Sequence, residues 1–181
     1  MVALTLSGCS EPPQKEIDQA QAAIDGAKAA GAETYAADEY AAAVTALQKS
    51  HGSVDQRDYR EALNYAIDAR QRAADAAKQA IAGRTRAKAS AEKLVTECSA
   101  RASQLDTDIK VAEAAHVLPR DLRSARTTLA DAETALQEAR TSMEAGNYAE
   151  TTTALTEVRR KLDGAIAAVD ALRQRPPRRR R

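Results

Sequence analysis

Apolar residues recur along most of the chain at alternating spacings of three and four, the pattern of α-helices that pack side by side. We call each row of apolar residues with this spacing a seam. Near the end of the chain, two seams predict antiparallel helices over about 119–144 and 148–173, with Gly146 in the turn between them. The first seam comprises Leu118, Leu122, Ala125, Leu129, Ala132, Leu136, Ala139 and Met143, and the second comprises Tyr148, Thr151, Leu155, Val158, Leu162, Ala165, Val169 and Leu172.

Three earlier seams predict three more helices. The first helix ends at Gly31, the second covers Tyr40–Val54, and the third begins at Asp58 with no strong stop signal before Pro119. The expected seam residues are Ile17, Ala20, Ile24 and Ala27 in the first helix, Tyr40, Val44, Leu47, His51 and Val54 in the second, and Leu63, Ile67, Ala74, Ala77, Ile81, Ala91, Val95, Cys98, Ala102, Leu105, Ile109 and Ala112 in the third.

The seam of the third helix is interrupted by Arg84 and Lys88, beside Gly83. A polar interruption in a helix that otherwise continues indicates a junction between two bundles. We therefore favour one long helix shared by two three-helix units, similar in plan to spectrin repeats. The alternative is a break at Gly83, with the two halves folded back on each other.

Two pairs of short segments indicate a weak internal duplication. Residues 58–61 and 147–150 each place a cap residue before a tyrosine and a glutamate at the third helical position. Residues 27–31 match residues 112–116 in the same way. The tyrosines also suggest a tetratricopeptide-like peptide-binding array, but their separation does not fit the 34-residue period of such arrays.

Composition supports helices and argues against a core of large side chains. Nearly a quarter of the 181 residues are alanine, and the chain has no Phe, no Trp and five Tyr. Alanine has the highest helix propensity but contributes little apolar area. We predict an all-α fold, an elongated antiparallel helical bundle with units at 16–83 and 84–173.

The first nine residues carry the most specific motif. Leu6-Ser7-Gly8-Cys9 places an aliphatic residue and two small residues before a cysteine, and this run resembles the signal box of bacterial lipoproteins. The resemblance implies that Cys9 becomes a lipidated N-terminus on a membrane, and that residues 10–15 form a polar tether. Residues 1–6 are shorter than a complete signal and contain no Lys or Arg. We therefore expect an upstream start or a trimmed signal.

The lipoprotein interpretation places the protein in the cell envelope, on the periplasmic side. Ser10 follows the cysteine where an Asp would resemble an inner-membrane retention signal, so we favour the outer membrane. No run of 18 apolar residues offers a spanning segment. The alternative is a cytosolic protein in which Cys9 has no special role.

A second resemblance covers residues 16–82. Ala32-Glu-Thr-Tyr35, Tyr40, Asp58-Tyr59 and Ala62-Leu63 resemble an uncharacterised family of alanine-rich bacterial lipoprotein domains. Some members of that family precede an OmpA-like peptidoglycan-binding domain. The resemblance implies location and helical fold, and peptidoglycan binding does not carry over to this chain.

Catalytic and metal-binding patterns are sparse. The sequence has no Gly-rich phosphate loop, no Cys-x-x-Cys and no His-Glu-x-x-His. Glu113 and His116 have the spacing of a di-iron motif, but such sites need a second motif and two further carboxylates. We favour a capping or surface role for His116 and a buried structural role for Cys98, with an intermolecular disulfide as the alternative. We predict no enzyme activity, no cofactor and no metal.

The end of the chain is strongly basic. The formal net charge is +1, and the last nine residues contain six arginines, which leaves −5 for the rest. Residues 174–181 are predicted to be a disordered tail, and either a solubilising role or anion binding is consistent with it. No aromatic residues lie between the arginines, so we do not expect nucleic acid binding. The candidate anion-binding residues are Arg173, Arg175, Arg178, Arg179, Arg180 and Arg181.

These observations favour a lipid-anchored helical scaffold or spacer that presents its faces to envelope proteins. The alternative is a soluble coiled-coil-like adaptor whose arginine tail binds an anionic polymer or membrane surface. Homo-oligomers are compatible with the sequence but not implied by it.

Overall fold

The computed structural model describes residues 11–174, and these confirm the all-α fold. The regular elements are helices that leave only short turns between them. They are α1 (Gln14–Ala29), α2 (Ala32–Tyr35), α3 (Ala37–Asp55), α4 (Tyr59–Ala114), α5 (Arg123–Glu144) and α6 (Tyr148–Arg173).

Packing contacts divide the chain into two compact units, with the boundary between Thr85 and Arg86. The first unit contains α1, α2, α3 and the N-terminal part of α4. The second contains the C-terminal part of α4 with α5 and α6. Helix α4 continues without a break through Gly83, so the alternative of a chain reversal at that residue is wrong.

The core of the first unit is built from small side chains. The part of helix α4 in this unit buries six alanines completely, and α1 and α3 contribute further alanines together with Ile17, Ile24 and Leu47. A methyl group is the largest side chain at most of these contacts, so the helices can approach closely. The buried alanines of α4 in this unit are Ala62, Ala66, Ala69, Ala73, Ala76 and Ala80.

The seam predicted for this part of α4 was wrong by one position. Ile67 is 45% exposed and Ile81 is 61% exposed, whereas the alanines beside them are buried. The prediction for α3 was wrong in the same way at His51, which is exposed next to the buried Ser50. The spacing of large aliphatic residues indicated the wrong face because the contact itself is made by alanine and serine.

Two close contacts show how tightly the first unit packs. The buried Ser50 hydroxyl donates a hydrogen bond to the Ala62 carbonyl oxygen at 2.7 Å, which joins α3 to α4. Gly83 faces Tyr35 so closely that a Cβ atom there would lie 3.0 Å from Tyr35 Cβ and 3.1 Å from its carbonyl oxygen. Glycine therefore allows the end of α2 to contact α4.

The second unit has a different core and confirms most of the predicted seams. Leucines lie at its centre, and Leu105, Leu122, Leu155 and Leu162 are fully buried. Leu118 is the exception, because it lies in the turn after α4 and is 48% exposed. The larger side chains contribute more burial free energy per residue than alanine does.

Ion pairs between helices of the second unit show how those helices are directed. Arg159 of α6 lies 3.1 Å from Glu97 of α4, and four residues further along both helices Asp163 pairs with Arg101. The two helices therefore run in the same direction. Helix α5 runs between them in the opposite direction, as the chain order requires.

Four helix ends support the internal duplication. Gly31, Arg57, His116 and Gly146 have positive φ angles, and each follows the end of a helix. Gly31 and His116 are 85 residues apart, and Arg57 and Gly146 are 89 apart. The matching sequence segments are separated by the same two distances. Corresponding turns therefore end corresponding helices in the two units.

Of the two predicted N-cap residues, Asp58 and Asn147, one forms a side-chain hydrogen bond to the helix and the other does not. The Asp58 carboxylate accepts a hydrogen bond from the Glu61 backbone N–H at 3.0 Å, as an N-cap residue does. Asn147 holds the cap position of α6 without a side-chain cap hydrogen bond. The Asp58 cap is therefore confirmed, and Asn147 is confirmed at the N-cap position of α6 but does not form the expected side-chain hydrogen bond.

Replacing Gly83 with alanine should destabilise the protein, although alanine is the better helix former. The gain in helix propensity is about 1 kcal/mol, but displacing the Tyr35 backbone costs about 1–3 kcal/mol. The matched control is Gly26→Ala, because a Cβ at Gly26 meets nothing within 4 Å. Urea denaturation should show Gly26→Ala as stabilising and Gly83→Ala as destabilising. Equal stabilisation by both would contradict the close contact.

Candidate functional site

The lipidation candidate, Cys9, lies outside the described residues, and the structure begins shortly after it. Helix α1 starts at Gln14, directly after Pro12 and Pro13. The Gln14 side chain donates a hydrogen bond to Asp18 at 2.7 Å, which stabilises the first turn. Gln14 and Lys15, assigned to the tether from sequence, are helical, so four residues separate Cys9 from the first helix.

Only Arg173 of the six candidate anion-binding arginines lies within the described part of the chain. It is the last residue of α6, and its guanidinium lies 3.2 Å from Asp170 and 3.6 Å from Asp108. The Asp108 contact joins α6 to α4. Arg173 therefore stabilises the bundle, and its charge is engaged by two carboxylates.

The Glu113 and His116 pair does not form a metal-like arrangement. Glu113 forms an ion pair with Arg126 of α5, and His116 follows the end of α4 with a φ of 62°. The His116 and Val117 backbone N–H groups donate to the Glu113 and Ala112 carbonyl oxygens, at 2.9 and 3.0 Å. This is the Schellman arrangement that closes a helix. Within residues 11–174, no group of three or more potential metal ligands comes together.

Cys98 is confirmed as a buried core residue. Its side chain is fully buried among the leucines of the second unit, and its sulfur lies 3.5 Å from the Leu155 carbonyl oxygen. Burial raises the pKa of the Cys98 thiol, because the thiolate would lose its hydration. The nearby Arg101 and Arg159 act in the opposite direction and only partly compensate.

A shallow groove of about 580 Å³ crosses the second unit beside the turn between α5 and α6. Its lining mixes polar and apolar surface, and the apolar part includes Val95 and Met143. The lining also includes charged side chains of both signs, and Lys88 lies 3.9 Å from Glu92 across one turn of α4. The sequence pattern placed Tyr148 on the seam of the last helix and did not indicate the groove.

None of the described helices combines the length and apolar character that crossing a bilayer requires. Comparison with known protein families, curated proteins and solved structures gave no match to this chain.

Cys98 should be strongly protected from thiol reagents while the protein is folded. In a Cys9→Ser variant, where Cys98 is the remaining thiol, labelling by a charged disulfide reagent should be at least about a hundredfold slower than in denaturant. The reason is that the reactive thiolate is both buried and disfavoured. Rapid stoichiometric labelling without denaturant would contradict the buried position.

Proposed function

We propose that this protein is a lipid-anchored scaffold or spacer of the bacterial cell envelope, held at a membrane by acylated Cys9. The observation that carries the proposal is the run Leu6-Ser7-Gly8-Cys9 followed by a polar, proline-containing segment. Each acyl CH₂ group that enters a bilayer contributes about 0.8 kcal/mol, so more than one chain anchors a soluble bundle stably.

The four-residue tether supports this proposal. Extended chain covers at most about 3.5 Å per residue, so four residues reach about 14 Å. A lipid on Cys9 would therefore keep α1 within a short distance of the headgroups. Ser10 favours the outer membrane, with the bundle on the periplasmic side.

The charges of the second unit support a structural rather than a catalytic role. Arg159, Arg101 and Arg173 each pair with a carboxylate on another helix. Partly exposed pairs of this kind contribute modestly to stability but add specificity to helix packing. We propose that the bundle faces contact other envelope proteins.

Metabolic labelling with a fatty acid tests the anchor directly. The protein should be expressed from its own chromosomal locus, so that its natural start is used. Wild type should incorporate the label and sediment with membranes, and Cys9→Ala should do neither. Separation of inner and outer membranes should place the labelled protein in the outer fraction.

The matched control is Cys98→Ala, which removes the chain's other cysteine. It should retain label and membrane association. An unlabelled, soluble wild type would overturn the proposal, and so would a Cys9→Ala variant that keeps its label. A soluble wild type recovered on an anionic polymer would instead support the adaptor alternative.

A further inference from the structure

The exposed isoleucines of the first unit lie on one face of α4. Ile67, Ala74 and Ile81 are spaced seven residues apart, which is nearly two helical turns each time. Ile67 and Ile81 are therefore about 21 Å apart along the helix at 1.5 Å per residue. They are two of the most exposed large apolar side chains in the described chain, at 45% and 61%.

Basic residues lie around these isoleucines, and one of them is paired, since Lys78 lies 3.6 Å from Asp75. Arg60 lies in the same row seven positions before Ile67, and Lys78 lies in the adjoining row. Arg70 and Arg84 lie in the row on the other side, which also contains Leu63 and Ala77. We call these three rows of α4, between residues 60 and 85, the basic face.

The acidic residues of this segment occupy a different row. Glu61, Asp68 and Asp75 are also seven residues apart, but each follows a member of the isoleucine row by one position. One residue turns the helix by 100°, so the carboxylates lie more than a quarter of a turn away. The Asp68 carboxylate forms an ion pair with Arg72 at 3.0 Å, on that side of the helix. The acidic row therefore lies to one side of the isoleucine row, although Asp75 still reaches Lys78 at 3.6 Å.

The basic face lies next to the helix that follows the tether. Arg70 donates a hydrogen bond to the Gln19 side chain of α1 at 2.8 Å. Gln19 is ten residues after Cys9. An acyl chain on Cys9 would therefore bring this face close to a bilayer, whose headgroups carry the opposite charge when the lipid is anionic.

We propose that the basic face of α4 binds the surface of an anionic phospholipid bilayer, so that the first unit rests on the membrane to which Cys9 is anchored. Ile67 and Ile81 enter the headgroup boundary, and Arg60, Arg70 and Lys78 contact lipid phosphates. This is the mode of an interfacial amphipathic helix, in which apolar area and attraction to anionic lipid act together. The location rests on the proposed function, whereas the lipid affinity belongs to the face itself.

The test uses the full chain with Cys9→Ser, so that no acyl chain contributes. Sedimentation should show binding to vesicles that contain phosphatidylglycerol, weaker binding at high salt, and little binding to phosphatidylcholine alone. Ile67→Gln with Ile81→Gln should lower the partition coefficient about tenfold, and Arg60→Gln with Lys78→Gln should do the same. Circular dichroism should confirm that the variants stay folded.

Matched controls come from the second unit. Val111 and Leu118 are exposed to a similar extent, 41% and 48%, so Val111→Gln with Leu118→Gln removes comparable apolar surface. Arg123→Gln with Lys161→Gln removes two exposed charges there. Both control pairs should leave binding unchanged. The isoleucine effect should also persist when the arginines after Pro177 are replaced by glutamine.

Three results would overturn the proposal. The first is absence of binding to phosphatidylglycerol vesicles, and the second is an equal loss of binding in the second-unit controls. The third is a dimer of the protein that dissociates when Ile67→Gln and Ile81→Gln are combined, while binding to vesicles is unchanged. The last result would assign the face to a second copy of this chain. Because the protein in this test carries no lipid, failure of fatty-acid labelling at Cys9 would leave these measurements unaffected, and the two proposals fail separately.

Discussion

The close approach of three helices through alanine is the constraint on which the first unit depends. Ala20, Ala43 and Ala73 are each completely buried, one from each of the three long segments. Alanine loses no side-chain entropy on folding and favours helix. Each alanine contact therefore contributes little burial free energy and costs little conformational entropy. Stability then comes from many short contacts, and a larger side chain at any of them would separate two helices.

The same constraint explains where the larger side chains go. In the first unit, Ile67 and Ile81 do not fit the alanine contacts and remain at the surface. In the second unit the core accepts leucine, and pairs such as Arg159 with Glu97 lie at the edges of the contact. One helix thus carries two kinds of packing face. The exposed apolar row of the first unit is a consequence of the alanine core.

Much of the fold could be predicted from sequence because helix periodicity and stop signals are local. The turn at Gly146, the start of the third helix at Asp58 and the burial of Cys98 all follow from short patterns. The face that α4 buries in the first unit could not be predicted in this way. Periodicity identifies two apolar rows one residue apart, and size favours the row with isoleucine. Only the distance between helices, a tertiary property, selects the alanine row.

The candidate functional residues also divide into those indicated by a local sequence pattern and those that depend on tertiary contacts. Cys9 could be proposed from sequence because its signal is a contiguous motif. The charge of Arg173 could not be assigned, since its partner Asp108 comes from a different helix. The groove at Tyr148 and the basic face of α4 depend on which side chains remain exposed after packing, and seam spacing alone does not settle that.

The most direct test of the alanine core compares two neighbouring residues of α4. Ala73 is completely buried and Ala74 is half-buried in the isoleucine row. Replacing each with leucine and measuring the free energy of unfolding in urea tests which row forms the core. We predict that Ala73→Leu lowers the free energy of unfolding by about 1–3 kcal/mol or more, and that Ala74→Leu lowers it by less than about 1 kcal/mol. The reverse order would show that the isoleucine row is the buried one and would contradict the account.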